Sequence, residues 1–402
     1  MKKLSLLFIT LSMMALFSCS SVKISNPYSS ISASSNSNNS SSTSEVSESE
    51  DNTLNSSEIS SNDMLSTNNS STLLDQVEEN GVIYKLAYGE VTVAGHTDDM
   101  GSSIVILSKV TINGQKYSVL KINDNAFAKC ESLESVTIQD GLRTIGNHAF
   151  DGCVSLKNVT FPYTIQSFYT SAFANCTALE SINLPTRIKS IGWSSFEGCR
   201  SLKSIIIPRS VTEMGPQVFQ SCSSLTIYCQ AEIKPESWTN RSWDGSRPVY
   251  WGIKDEDVIM TQDAIYYLVT KDEAIVTGRS LELRENVTIP SEVTLEGKHY
   301  SVTKIIDKSF YYCNFITNIT LPNGLLSIGE KAFGECYGLK YIVIPSSVSF
   351  ISVDAFFLCS KLVVYCEAES QPEGWDSDWG DYKSIYWKGQ WSYVNGIPSP
   401  NN

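Results

Sequence analysis

The sequence predicts a stacked-repeat solenoid, α/β to mainly β in class, built as two tandem arrays behind a disordered N-terminal tether. Three observations predict it. A 23-residue period fixes phenylalanine and cysteine positions, the period resumes after a gap, and the segments flanking each array are themselves duplicated. Hydrophobic residues make up 42% of the 402, enough for a core. The formal charge of −13 repels phosphate backbones, so nucleic acid is not an expected partner.

In chain order, residues 1–18 read as a targeting segment. Lys2 and Lys3 precede an uncharged apolar run from Leu4 to Phe17. That run is shorter than the roughly 20 residues a spanning helix needs. Leu16-Phe17-Ser18-Cys19 resembles the lipobox of bacterial lipoproteins. The resemblance implies that Cys19 receives a diacylglyceryl group, becomes the mature N-terminus and anchors the chain to the membrane. Phe17 stands where the lipobox usually has a small residue. An ordinary cleaved signal with an incidental cysteine is the alternative.

Residues 19–75 form the expected tether. Ser20 to Thr72 holds 22 serines and 9 asparagines in 53 residues. So little apolar surface cannot offset the entropy of ordering, and the segment is expected to be disordered. Its r.m.s. reach is on the order of 40 Å. A serine-rich glycosylation target is a sharper reading that the sequence alone does not carry.

The repeats follow. Phe127, Phe150, Phe173, Phe196 and Phe219 are spaced by 23, each with a cysteine three residues on: Cys130, Cys153, Cys176, Cys199 and Cys222. The series resumes with Phe310, Phe333 and Phe356, paired with Cys313, Cys336 and Cys359. Leu133, Leu156, Leu179, Leu202 and Leu225 keep the same period. Val136-Thr137-Ile138 alternates apolar and polar as a half-buried strand does. Pro162, Pro185, Pro208, Pro322 and Pro345 follow the strands, where no ladder donor is needed. Gly146, Gly192, Gly215 and Gly329 suggest a tight turn. One unit cannot bury its apolar face alone, but stacked units bury a continuous core.

The pattern Leu-x-x-Val-x-Ile-Pro…Ile-Gly-x-x-Ala-Phe-x-x-Cys resembles the BspA-type leucine-rich repeat of bacterial surface proteins, over Tyr117 to Leu225 and Tyr300 to Leu362. The resemblance implies a curved leucine-rich-repeat solenoid with a strand-lined face. It also implies exposure at the cell surface, often with an adhesive role, and no catalytic residues or cofactor.

Ile83-Tyr84-Lys85-Leu86 recurs as Ile265-Tyr266-Tyr267-Leu268, and Asn113-Gly114 carries a hairpin signal. Pro235-Glu236-Ser237-Trp238 recurs as Pro372-Glu373-Gly374-Trp375. The first match has an offset of 182 and the second of 137, while Val110 to Tyr117 matches Val293 to Tyr300 at 183. The difference, 183 − 137 = 46, is two repeats. These relations divide the chain into a first module of five repeats with caps at 76–253, a second of three at 258–390, and a tail at 391–402.

Candidate chemistry is sparse. His96, His148 and His299 lie far apart in sequence, so no metal site is expected. Eight cysteines share one repeat position and suit a column of buried thiols. Bridges, if formed, fit best at Cys222–Cys229 and Cys359–Cys366. Trp238, Trp243 and Trp251 recur as Trp375, Trp379 and Trp387. They close the solenoid's ends or, alternatively, stack on sugars. No nucleophile elbow, zinc-protease motif or phosphate loop is present, and no enzyme is expected. Candidate ligand contacts are the outward strand positions Ser135, Thr137, Asn158, Thr160, Ser181, Asn183, Asn318, Thr320 and Tyr341, with Ser204 and Ile206 in the same rows. The alternative is that these are merely solvated. The expected function is protein binding or adhesion through the repeat surface, with a glycan ligand or a purely structural envelope role as alternatives.

Overall fold

The computed structural model describes residues 21–23 and 75–401, apart from positions 240, 241, 281, 284, 381 and 382. The described residues form strands and turns without a helix. The fold is a β-solenoid, at the mainly-β end of the class expected.

Each repeat lays down two short parallel strands. In the first array, Ser103–Ile106, Ser135–Ile138 and Asn158–Thr160 pair side by side, and Ser181–Ile182, Ser204–Ile207, Thr226–Cys229 and Val249–Trp251 continue the row. On the other flank, Thr144–Ile145, Ser167–Phe168, Ser190–Ile191 and Glu213–Met214 stack in order. Register follows the repeat: Asn158 faces Ser135, and Ser190 faces Ser167. The second array repeats the plan with Asn318–Thr320, Tyr341–Ile344 and Val363–Cys366 on one flank and Ser327–Ile328 and Phe350–Ile351 on the other.

The segment around Ala-Phe-x-x-Cys turns without forming a helix for a local reason. Each turn carries left-handed residues four apart, such as Asn125 and Lys129 at φ 60° and 62°, or Ser171 and Asn175 at 54° and 56°. Gly152 and Gly198 occupy the second of these positions in their repeats. An α-helix cannot run through such residues, because each reverses the hand of the backbone.

Packing runs along columns. The Phe127, Phe150, Phe173, Phe196 and Phe219 rings stack nearly parallel, with successive centroids 5.1, 5.2, 5.6 and 5.8 Å apart. Phe310, Phe333 and Phe356 do the same at 5.2 and 5.5 Å. His96 stacks on Phe127 at 6.0 Å, and Trp243 meets Phe219 edge-on at 6.3 Å, so both ends of the first column are covered. Trp379 covers Phe356 in the same way at 6.0 Å.

Gly146, Gly192, Gly215 and Gly329 do not serve the turn conformation expected of them. None has a positive φ. A Cβ on Gly192 would stand 2.7 Å from the carbonyl carbon of Tyr169, and one on Gly215 2.6 Å from that of Gly192. These positions are glycine because neighbouring turns approach too closely for a side chain.

The hairpin signal at Asn113-Gly114 is realised with φ 51° and 78°, and Glu296-Gly297 matches it at 50° and 81°. Antiparallel strands Gln76–Glu79, Val82–Ala87 and Glu90–His96 begin the first array; Val258–Gln262, Ile265–Val269 and Ala274–Arg279 begin the second. One finding differs from expectation. Within the expected tether, Ser21–Lys23 pairs antiparallel with Val258–Gln262, an edge strand whose backbone groups would otherwise lack partners on that side. The tail is ordered as a hairpin, Trp391–Val394 against Ile397–Pro400, about an Asn395-Gly396 turn.

Two large apolar clusters fill the arrays. A third joins them: Tyr228, Ile253, Ile259, Leu268 and Ile275, with Ile206, Tyr250 and Ile306 packed alongside. Ile206, expected to face solvent, is therefore half-buried beneath the second array's first strands. Tyr228 donates or accepts a 2.7 Å hydrogen bond with Thr277, and Thr226 donates to the Thr277 carbonyl at 3.1 Å.

Candidate binding surfaces

The alternation of the strands places the expected contact residues outward. Thr137, Asn158, Thr160, Ser181, Asn183 and Thr320 are exposed; Ser135, Asn318 and Tyr341 are half-buried. Parallel pairing stacks them into two rows, with Ser103, Ser135 and Asn158 in one and Val105, Thr137 and Thr160 in the other. The rows change character where something covers them. Ile206 and Tyr228 sit under the second array, and Tyr365 lies against Tyr386 and Trp391 at 5.5 and 5.4 Å. Beside the open part runs a ladder of alternating charge: Lys157 Nζ lies 3.1 Å from Glu134, and Lys203 Nζ lies 2.8 Å from Glu180. Exposed pairs of this kind contribute little stability, roughly 0–1 kcal/mol each. Their effect is to leave that margin without a net sign.

A second surface lies on the opposite flank. A groove of about 510 Å³ runs over the strands Ser167–Phe168, Ser190–Ile191 and Glu213–Met214, with Asn147, Tyr169, Thr170, Ser190, Glu213 and Thr239 in its walls. Tyr169 is 41% exposed, and the neighbouring Trp193 is 53% exposed. The Trp193 indole N–H donates to Gln217 at 3.0 Å, which fixes the ring. The sequence reading missed both aromatics. Their signal is that each breaks its column: Tyr169 stands where Gly146, Gly192 and Gly215 stand in other repeats.

Four of the six tryptophans considered for sugar stacking are inaccessible, and Trp251 and Trp387 are half-buried. Trp238, Trp243, Trp375 and Trp379 are between 2% and 4% exposed. Trp238 donates its indole N–H to Val211 at 3.2 Å, and Trp375 to Val348 at 3.0 Å. They cap the arrays, and a sugar cannot reach them.

The cysteines form a thiol column. Cys153, Cys176, Cys199 and Cys222 each donate Sγ–H to the phenylalanine carbonyl of the preceding repeat, at 3.1, 3.3, 3.2 and 3.0 Å. Cys336 and Cys359 do so at 3.2 and 2.9 Å. All ten cysteines among the described residues are free and buried, including the candidate bridge positions Cys222, Cys229, Cys359 and Cys366. Burial pushes the Cys130 thiol up to about 11, and the Cys153 and Cys222 thiols up to about 12. A protonated, enclosed thiol is a poor nucleophile. Cys130, which has no preceding phenylalanine, lies 2.9 Å from His96 Nε2 instead. Among the described residues no group of three or more His, Cys, Asp and Glu could hold a metal ion. Cys19 lies outside the described residues.

A solenoid of 23-residue turns with in-register Phe and Cys columns defines a repeat protein of the leucine-rich class. The chain belongs to the BspA-type leucine-rich repeat family, whose model matches residues 105–234 and 285–365 in six copies. Among solved structures it is similar to a leucine-rich repeat protein from Bacteroides ovatus, at 20% identity over 77% of this chain and 99% of that one, with a TM-score of 0.36. The T. pallidum leucine-rich repeat protein matches at 19% identity over 71% of this chain and 90% of that one, with a TM-score of 0.34. The pneumococcal vaccine antigen PcpA matches at 19% identity over 78% and 77%, with a TM-score of 0.37. A search of curated protein sequences gives no match.

Proposed function

We propose that this chain is a non-catalytic surface lipoprotein, anchored through Cys19 and built as two capped modules at 76–253 and 258–390, that binds a protein ligand on the open strand face of the first array. One observation carries this reading. The two outward rows are polar and exposed from Thr137 to Asn183, and the row of Thr137, Thr160 and Asn183 turns apolar where another segment covers it, at Ile206 and Tyr228. The rows thus distinguish a face left open from one built to be covered. Hydroxyl and amide side chains at regular spacing offer donors and acceptors without committing to a charge. Repeat solenoids use such continuous faces for recognition.

The test is binding of the mature chain to immobilised matrix proteins and to intact cells, measured for the wild type and for Asn158→Asp with Asn183→Asp. Loss of binding with an unchanged unfolding midpoint supports the strand face; unchanged binding removes it. Detergent phase partition of wild type and Cys19→Ala tests the anchor, and equal partition would refute it.

The flank groove favours a second reading, a neutral sugar. Two exposed aromatics, Trp193 held by its bond to Gln217 and Tyr169 in the groove wall, offer apolar faces to the C–H side of a pyranose, while Asn147, Thr170 and Glu213 can meet its hydroxyls. A glycan array with Trp193→Ala and Tyr169→Ala separates it from the strand face.

A further inference from the structure

Where the arrays meet, a cleft is lined by Arg247 from the end of the first and by Arg279 and Lys308 from the start of the second, with Ser223 and Ser246 at its rim. Among the described residues no carboxylate lines it. Such a gathering of cations is out of keeping with a chain of net charge −13. Asp244 lies 3.5 Å from Lys308 Nζ and offsets one of the three charges.

The two guanidinium groups are incompletely used. Arg247 donates from Nε to the Gly245 carbonyl at 3.1 Å and from Nη1 to Ser223 at 3.4 Å. Arg279 donates from Nη2 to the Tyr311 and Tyr312 carbonyls at 3.4 and 3.5 Å. Among the described residues its Nη1 is buried and has no hydrogen-bond partner. A buried, unpaired donor on a charged group is costly, and two such groups side by side repel. Burial lowers the Arg247 pKa, and the nearby Arg279 adds to the fall. Tyr311 and Ser309 also line the cleft, but their hydroxyls already donate to Glu335 and to the Val276 and Ile306 carbonyls. Donation into the cleft therefore falls to the three cations and the rim serines.

We propose that this junction is a binding site for a small tetrahedral oxyanion, sulfate or phosphate, either free or as the terminal group of a larger ligand. The space open to the centre of a water molecule is about 20 Å³. That corresponds to a rounded cavity of about 3 Å radius, which admits one such ion and little more. The site takes residues from both arrays, so an occupant ties them together, and the guanidinium fork suits a tetrahedral anion. The inference is independent of the strand-face reading.

The test is calorimetric titration of the full-length protein with sodium sulfate and sodium phosphate in a chloride buffer of matched ionic strength, with a sulfated disaccharide as a third arm. Saturable one-to-one binding is expected. Arg247→Gln or Arg279→Gln should weaken it on the order of tenfold to a hundredfold. Lys308→Gln, at a side chain 28% exposed, gives the same direction should an arginine variant fail to fold. Tighter binding of the disaccharide than of sulfate identifies a larger ligand's terminus, and equal binding identifies the free ion. No binding beyond the chloride control overturns the proposal, as does binding retained by all three variants.

Discussion

Substituting Gly192 by alanine separates two explanations that predict opposite signs. If the glycine served only to terminate a turn, alanine would be tolerated, because Gly192 has no positive φ. Reducing the freedom of the unfolded chain would then stabilise the protein by about 0.4–1 kcal/mol. The stacked geometry says otherwise. The new Cβ would lie 2.7 Å from Tyr169 C and 2.9 Å from both Thr170 N and Tyr169 O, whereas ordinary contact begins near 3.4 Å. Relief requires the turns to part by 3.4 − 2.7 = 0.7 Å. The Gly192 N–H bond to the Phe168 carbonyl, now 2.8 Å, would stretch to about 3.5 Å, beyond useful length. Overpacking at about 1–3 kcal/mol plus about 1 kcal/mol for the weakened bond gives a loss of roughly 2–4 kcal/mol. Urea unfolding followed by tryptophan fluorescence should show the midpoint falling by about 1 M or more. Gly101, whose added Cβ would meet only Ser103 O at 3.9 Å, is the control and should be neutral or slightly stabilising. A Gly192→Ala midpoint at or above wild type would refute the stacking account.

Further outcomes follow from the columns. The buried thiols should make stability fall above pH 9. An unfolded cysteine loses its proton near that pH, while Cys130 holds its own to about 11 and Cys153 and Cys222 to about 12, so the unfolded chain binds fewer protons across that window. Each such thiol contributes about 1.4 kcal/mol of loss per pH unit there, with its stabilisation fully present at neutral pH, and urea midpoints unchanged from pH 8 to 10.5 would contradict this. Trp243→Ala, which uncovers Phe219, should cost about 3–5 kcal/mol in thermal or urea unfolding. A variant that lost sugar affinity with no loss of stability would reverse the capping assignment. Tyr228→Phe, which removes the buried hydrogen bond to Thr277, should cost about 1–3 kcal/mol. A double-mutant cycle with Thr277→Val measures the coupling, and independent effects would show that the bond does not contribute.

The solenoid was legible because its strongest signals are columns, and a column is written into the sequence as a period. Phe127 through Phe219 could be found by counting, and their stacking follows. The capping tryptophans were legible for a related reason: Trp238 recurs as Trp375, and a duplicated aromatic beside a duplicated array is more readily structural than binding. What was not legible depends on distance between turns. Gly192 follows an apolar residue as a turn glycine would, and only the approach of Tyr169 reveals its role. Trp193 and Tyr169 form a surface through adjacency across repeats, which a motif search within one repeat does not detect. Ile206 looked like a solvent-facing position because its cover lies more than 50 residues further on, at Ile259 and Leu268.

That cover points to how the two arrays were built. The period slips at the end of the first array: Ile205 pairs with Ile227, one residue short of the repeat. The slip puts Thr226 and Tyr228 outward, and both are buried. The second array ends the same way, with Ile342 paired to Val364 and Tyr365 turned outward, 5% exposed. In the first case the strands Val258–Gln262 and Ile265–Val269 provide the cover; in the second, the hairpin Trp391–Val394 with Ile397–Pro400 does. Both hairpins turn through two left-handed residues, Asp263-Ala264 and Asn395-Gly396. The duplicated unit therefore includes a last strand with two apolar faces, one of which requires a hairpin from the segment that follows. Removing residues 391–402 should expose Tyr365 and lower the unfolding midpoint, while leaving the Tyr228 contacts of the first array intact. Near-ultraviolet circular dichroism and limited proteolysis would detect this. A truncated chain with wild-type stability would show that the hairpin only rests on the last strand, and that the outward tyrosine needs no cover.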